Sequence, residues 1–93
     1  MLTLQTRVSV PKDVLFHKVE DEMVLLNLAN GKYFSLDDVG TTMWSLIAEQ
    51  GNLGAVHQAL LKEYEVDPQR LEQDLLSLAD KLVQNELLQV IES

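Results

Sequence analysis

The chain contains no cysteine, which excludes a disulfide framework, thiol chemistry and the usual structural zinc sites. Its two histidines, His17 and His57, are isolated in sequence and cannot make a conventional catalytic zinc centre by themselves. Long apolar runs are missing too: the longest, Met23-Val24-Leu25-Leu26, has four residues, against the roughly 20 that a membrane-crossing helix needs. The opening Met-Leu-Thr-Leu-Gln-Thr-Arg lacks a basic segment followed by an apolar stretch. It does not read as a signal peptide, and the expectation is a cytoplasmic protein without membrane insertion. Bases are scarce. Residues 1–36 hold four bases and four acids, whereas residues 37–93 hold three bases against eleven acids, so the whole net charge of -8 lies in the C-terminal part. That balance argues against a nucleic-acid partner. No Ser/His/Asp set, phosphate-binding loop or dinucleotide fingerprint occurs, so neither catalytic residues nor a cofactor are expected.

What remains is a chain of 93 residues, 46% of them apolar, enough for one small domain with a single core. Its first third alternates. Leu2, Leu4, Val8 and Val10 fall on even positions, so residues 1–12 read as an extended arm or an additional strand. Val14 to Val19 and Met23 to Leu28 form two strand-like runs joined by the acidic turn Glu20-Asp21-Glu22. Asn30-Gly31 predicts a type I′ hairpin turn, whose central residues both need positive φ, and Lys32 to Leu36 completes a three-stranded antiparallel meander.

The remainder follows a helical period. Asp37 or Asp38 can cap a helix bearing Val39, Met43, Leu46 and Ile47, which Gly51 ends. Asn52 can cap a second, with Leu53, Val56, Leu60 and Tyr64 on one side. Asp67-Pro68 opens a third, carrying Leu71, Leu75, Leu78 and Leu82. Leu87-Leu88 then folds back to close the core. The order predicts an α+β fold, a three-stranded sheet followed by three helices, similar to a winged helix-turn-helix, with residues 13–93 as a single domain.

At about 100° per residue the four leucines of the third helix span roughly 60°, and Leu76, Ala79 and Val83 widen the apolar arc to roughly 160°. An arc that broad either buries two surfaces in the core or leaves a groove beside the last strand. The edge of that strand adds a mechanism, since its unpaired N–H and C=O groups can accept an extended peptide. The arm could instead pair with a sheet edge, within the molecule or in a dimer mate, so monomer and dimer both stay open. His17 and His57 read as surface residues rather than catalytic bases. Trp44 reads as a core anchor, and Gly51-Asn52-Leu53-Gly54 as a helix–helix turn. The Glu20 to Glu22 cluster reads as a solvated turn rather than a metal site. A DNA-reading third helix is disfavoured because Arg70 and Lys81 face Glu72, Asp74 and Asp80.

Val24-Leu25-Leu26-Asn27-Leu28, Gly31-Lys32-Tyr33-Phe34, Leu36-Asp37-Asp38-Val39-Gly40 and Thr42-Met43-Trp44 resemble, in that order, the PqqD-like family. So do Tyr64-Glu65-Val66-Asp67, Asp74-Leu75, Leu78, Leu82 and Leu87-Leu88 further on. The resemblance covers about residues 13–90. Asp37 departs from a frequent Asn, and Glu86 from a Gly after the last helix, which leaves Asn85 to supply a left-handed C-terminal residue.

The resemblance implies a RiPP recognition element, which binds the leader segment of a ribosomally made precursor peptide as a strand beside the third strand and against the third helix. The Tyr-Phe-x-Leu and Gly-x-x-x-Trp version is most similar to the stand-alone leader-binding proteins of lasso-peptide biosynthesis, whose partners are a leader peptidase and a macrocyclase. Alternatives are a winged-helix DNA-binding regulator, a chaperone for a radical-SAM modifying enzyme, and a domain that docks only on enzymes. On the leader-binding reading, backbone groups of Tyr33, Phe34 and Ser35, next to Lys32, supply the ladder. Leu71, Leu75, Leu78 and Leu82 receive apolar side chains, with either Tyr33 or Phe34 as the opposite wall. Asp74 can meet a leader base and Lys81 a leader acid. The partner is expected to be somewhat basic and its binding only modestly salt-dependent.

Overall fold

A computed structural model describes residues 2–91. Met1 of the arm and Glu92 and Ser93 of the domain lie outside the described residues. The elements are β1 (Arg7–Ser9), β2 (Val14–Val19), β3 (Glu22–Asn27), β4 (Tyr33–Leu36), α1 (Asp38–Gln50), α2 (Leu53–Glu63), α3 (Pro68–Gln84) and β5 (Gln89–Ile91). Strands β2-β3-β4 form the antiparallel meander in that order, and the three helices follow. The register sets Phe16, Leu25 and Phe34 side by side on one face, and Leu15, Leu26 and Tyr33 on the other.

The inner face carries Met23, Leu25 and Leu36, which are buried together with Met43, Trp44 and Ile47 of α1, Leu53, Val56 and Leu60 of α2 and Leu71, Leu75, Ala79 and Leu82 of α3. Leu87 and Leu88 close this core. Trp44 has no accessible surface, and Phe16 meets its ring edge-on, with centroids 5.5 Å apart at 73°.

The helices start where short side chains can take up free amides. The Asp37 carboxylate accepts from the Gly40 N–H at 2.8 Å, Asn52 from Ala55 at 2.9 Å and Asp67 from Gln69 at 3.0 Å. Gly51 ends α1 at φ 67°, where a left-handed residue lets its N–H reach the Ile47 carbonyl.

Several expectations are corrected. The β3–β4 connection is not a type I′ turn: Gly31 has φ 74°, but Asn30 stays at negative φ. The loop closes on Asn27 instead, whose N–H donates to the Lys32 carbonyl at 2.9 Å and whose carbonyl accepts from Gly31 at 2.8 Å. The left-handed residue after α3 is Glu86, at φ 60°, while Asn85 has φ -94°. The tight turn between β2 and β3 places Glu20 at φ 58° and leaves Glu22 in the strand. Val39 and Tyr64 are exposed rather than in the helix cores. His57 is buried, not on the surface, with Nε2 at 2.9 Å from the Pro68 carbonyl, and so ties α2 to the start of α3.

The arm does not cover an edge of the meander. Strand β1 pairs antiparallel with β5, a strand with no signature in the sequence, as a separate two-stranded sheet. Val8 is buried in the core, and the Val8 N–H donates to the Gly51 carbonyl. Gly54 permits the approach of the arm, because a Cβ there would sit 2.7 Å from the Leu4 carbonyl oxygen.

The buried amide of Asn27 joins the hairpin to the far end of the chain. Its Oδ1 accepts from the N–H groups of Ala29 at 2.8 Å and Asn30 at 3.2 Å, and its Nδ2 donates to the Glu86 carbonyl at 2.6 Å. Asn27→Ala removes three part-buried hydrogen bonds whose partners lie on residues open to water. It is expected to lower the unfolding free energy by about 1–3 kcal/mol, measured by denaturant titration. Gly54→Ala is expected to push the arm away while the core stays folded. Hydrogen exchange should then quicken at Leu53, whose N–H donates to the Thr6 carbonyl, with little change at Leu25 or Leu75.

Candidate functional site

Strand β4 is an edge of the meander, and which of its groups face outward follows from the hairpin closure. Asn27 donates to Lys32, so these two form a hydrogen-bonded pair. In an antiparallel ladder such pairs alternate. Phe34, opposite Leu25, and Leu36, opposite Met23, therefore turn their N–H and C=O groups to β3, whereas those of Tyr33 and Ser35 point to the open edge. The Leu28 N–H, which donates to the Asp13 carbonyl on the other side of β3, has the same phase. Lys32 uses its backbone inside the turn, its N–H on the Asn30 side chain and its carbonyl on Asn27. Among the described residues no strand pairs with the outer edge of β4.

Beside this edge lies an open groove of about 290 Å³. One wall is Phe34, Ser35, Leu36 and the start of α1 at Asp37 and Gly40, and the other is Asp74, Ser77, Leu78 and Lys81 of α3. The α3 residues recur at i, i+3, i+4 and i+7, which is one stripe of a helix. Gly40 lets the start of α1 lie close against the end of β4, since a Cβ there would lie 3.2 Å from the Leu36 Cβ.

The structure thus sorts the residues picked out by sequence. Phe34, Ser35, Asp74, Leu78 and Lys81 line the groove. Tyr33 and Phe34 fall on opposite faces of the strand; Phe34 is half-buried against the groove, and the Tyr33 side chain, 73% exposed, points away. Leu75 and Leu82 have no accessible surface and Leu71 is nearly buried, so these leucines belong to the core rather than to the groove lining. The wide apolar arc of α3 is thus mostly spent in the core, with Leu78 half-buried at its groove side. Sequence reasoning missed Ser77, Leu36, Asp37 and Gly40 as lining; Ser77 is signalled by its place between Asp74 and Lys81 on one helical stripe.

The groove is polar at both ends. Asp74 lies 3.8 Å from Arg70, an exposed i,i+4 pair that leaves its carboxylate open to a second cation. Lys81 sits two turns further along α3. His17 is exposed on β2, away from this lining. Among the described residues no three His, Cys, Asp or Glu side chains cluster as metal ligands, and no helix is long and apolar enough to cross a membrane.

Known proteins were compared with the chain as a whole. None of the curated protein sequences matches it. Two solved structures resemble it over nearly its whole length. The TbiB1 protein, in complex with the TbiA(beta) leader peptide, is 35% identical, with a TM-score of 0.83, over 91% of this chain and 99% of that one. A lasso peptide synthetase B1 complexed with the leader peptide shares the fold at 24% identity and a TM-score of 0.79, over 89% of this chain and 98% of that one. Residues 22–88, from the start of β3 to the residue before β5, match the family of the coenzyme PQQ synthesis protein D, so the chain belongs to the PqqD family.

Proposed function

We propose that this chain is a non-catalytic recognition subunit that binds the leader segment of a ribosomally made precursor peptide and presents it to maturation enzymes. The leader lies as an added strand along β4, with its inward side chains in the groove between Phe34 and Leu78. The observation that carries this reading is the open edge of β4 directly beside the groove. It is supported by the relative that shares 35% of its residues and was solved with a leader peptide in place. Neither the DNA-binding regulator nor the radical-SAM chaperone draws comparable support from these relatives.

The two outward residues of β4 offer two N–H donors and two carbonyl acceptors, which give affinity with little demand on leader sequence. Selectivity then comes from the groove. Leu78 and Phe34 favour an apolar side chain, Asp74 favours a nearby base and Lys81 an acid. The enzymes fitting this role are a lasso-type leader peptidase and a macrocyclase. The outer face of the meander, with Leu15, Val19 and Tyr33 exposed, stays available to such a partner while the groove is occupied.

Titration of the isotope-labelled protein with the TbiA(beta) leader, or with the leader encoded beside this chain's gene, should move amide signals at Tyr33 to Leu36 and at Asp74 to Lys81. Shifts spread elsewhere would reject the site. Ser35→Pro removes an N–H that faces the guest and none that faces β3. It should weaken binding by about tenfold at an unchanged fold. Phe34→Ala should cost about tenfold or more, whereas Tyr33→Ala should leave the affinity within about twofold. Because the charged contacts are exposed, added salt should weaken binding by no more than about fivefold.

A further inference from the structure

The hairpin loop and the end of α3 meet in a hydrogen-bond network that runs from one wall of the groove to the other. Lys32, the residue before β4, is held by both of its backbone groups. Its carbonyl accepts from the Asn27 N–H at 2.9 Å, and its N–H donates to the Asn30 side-chain oxygen at 2.9 Å. Both asparagines then reach Glu86. Asn27 Nδ2 donates to the Glu86 carbonyl at 2.6 Å, and Asn30 Nδ2 donates to the Glu86 carboxylate at 2.5 Å.

The link continues into the helix. The Glu86 N–H donates to the Val83 carbonyl at 3.0 Å and the Leu87 N–H to the Leu82 carbonyl at 2.8 Å, the way a left-handed residue closes a helix end. Asn85 adds two bonds to the Lys81 carbonyl, from its N–H at 3.1 Å and its Nδ2 at 2.8 Å. Lys81 lines the groove, and Tyr33, next to Lys32, begins the open edge.

The two arms of this bridge differ in kind. The Asn27 arm is buried at its donor and ends on a backbone carbonyl, so it belongs to the fold. The Asn30 arm joins two exposed side chains, where a hydrogen bond adds little to stability. Glu86 also sits at φ 60°, which Gly adopts freely and Glu does not. Asn30 and Glu86 both lie outside the groove lining.

We infer that Asn30 and Glu86 are positioning residues for the guest peptide: their side-chain bond holds the Lys81 end of α3 at a fixed distance from the start of β4, so the groove is set before the guest arrives. The inference rests on the leader-binding reading and adds to it two residues that act without touching the guest. Walls that are already set lose less freedom on binding, and the difference appears as affinity.

The test compares Glu86→Gly, Glu86→Gln and Asn30→Ala with the unaltered full chain. Each is measured by denaturant titration and by affinity for a fluorescent leader, TbiA(beta) or the one encoded beside this chain's gene. Glu86→Gly suits the left-handed backbone and removes the carboxylate. Its unfolding midpoint should hold, while leader binding weakens by about three- to tenfold. A bond that served only the fold would not separate the two readouts. Glu86→Gln removes the charge but keeps an oxygen for the Asn30 amide, so it should bind within about twofold of the unaltered chain. That variant separates the bond from the mere loss of an acid near a basic guest. Asn30→Ala should weaken binding about as much as Glu86→Gly does, and combining the two should weaken it no further. A Glu86→Gly chain that binds like the unaltered one, or a Gln variant that loses as much as the Gly variant, would overturn the positioning role and leave the leader-binding reading standing. Failure of the unaltered chain to bind either leader would overturn both.

Discussion

One buried amide sets the distance between the two walls of the groove. Asn27 ends β3 and closes the hairpin to β4, and through Nδ2 it also holds the carbonyl of Glu86, directly after α3. The Asn30 side chain donates to the Glu86 carboxylate at 2.5 Å, so one residue after the helix receives both loop amides. The strand that bears the open edge and the helix that bears the facing stripe are separated in sequence by α1 and α2, and this contact fixes one end of their spacing. The capped start of α1 at Asp37, which continues directly from Leu36, fixes the other end. Glu86 sits at positive φ, a conformation that a side chain other than Gly adopts at some cost. Its two hydrogen-bonding roles offset that cost.

Hydrogen-bond phase links this constraint to recognition. Because Asn27 pairs with Lys32, the parity of the whole strand is settled, and Phe34 receives an inward backbone and a groove-facing side chain together. Tyr33 receives the opposite assignment in both respects. A slip of one residue would exchange the two and place a phenol where the groove now has a phenyl ring. Register and selectivity therefore share one origin, the closure of a four-residue loop on Asn27.

Features governed by neighbours in sequence were legible. The caps Asp37, Asn52 and Asp67, the stop at Gly51 and the leucine period of α3 depend on residues within one or two turns, and all are found where the spacing puts them. Features governed by distant groups were not. His57 looks like any polar residue on a helix until the Pro68 carbonyl comes to lie against it. Alternation assigns Tyr33 and Phe34 to different faces but does not say which face the helices cover. The leucines of α3 were read as groove lining because their arc is wide, but Leu71, Leu75 and Leu82 turn to the core and only Leu78 reaches the groove. Strand β5 is three exposed residues, too short for a period, and exists because β1 lies beside it.

That pairing of β1 with β5 also bears on how such a domain can be built into larger molecules. Arg7 lies opposite Ile91, so a point within the arm and the last described strand are held side by side, while Leu2 and Leu4 ahead of Arg7 pack on the core. A splice of this unit into a surface loop of a host protein has to carry that packed segment along, because a cut at Arg7 would uncover the surface it protects. The short two-stranded sheet acts as a clasp on the fold.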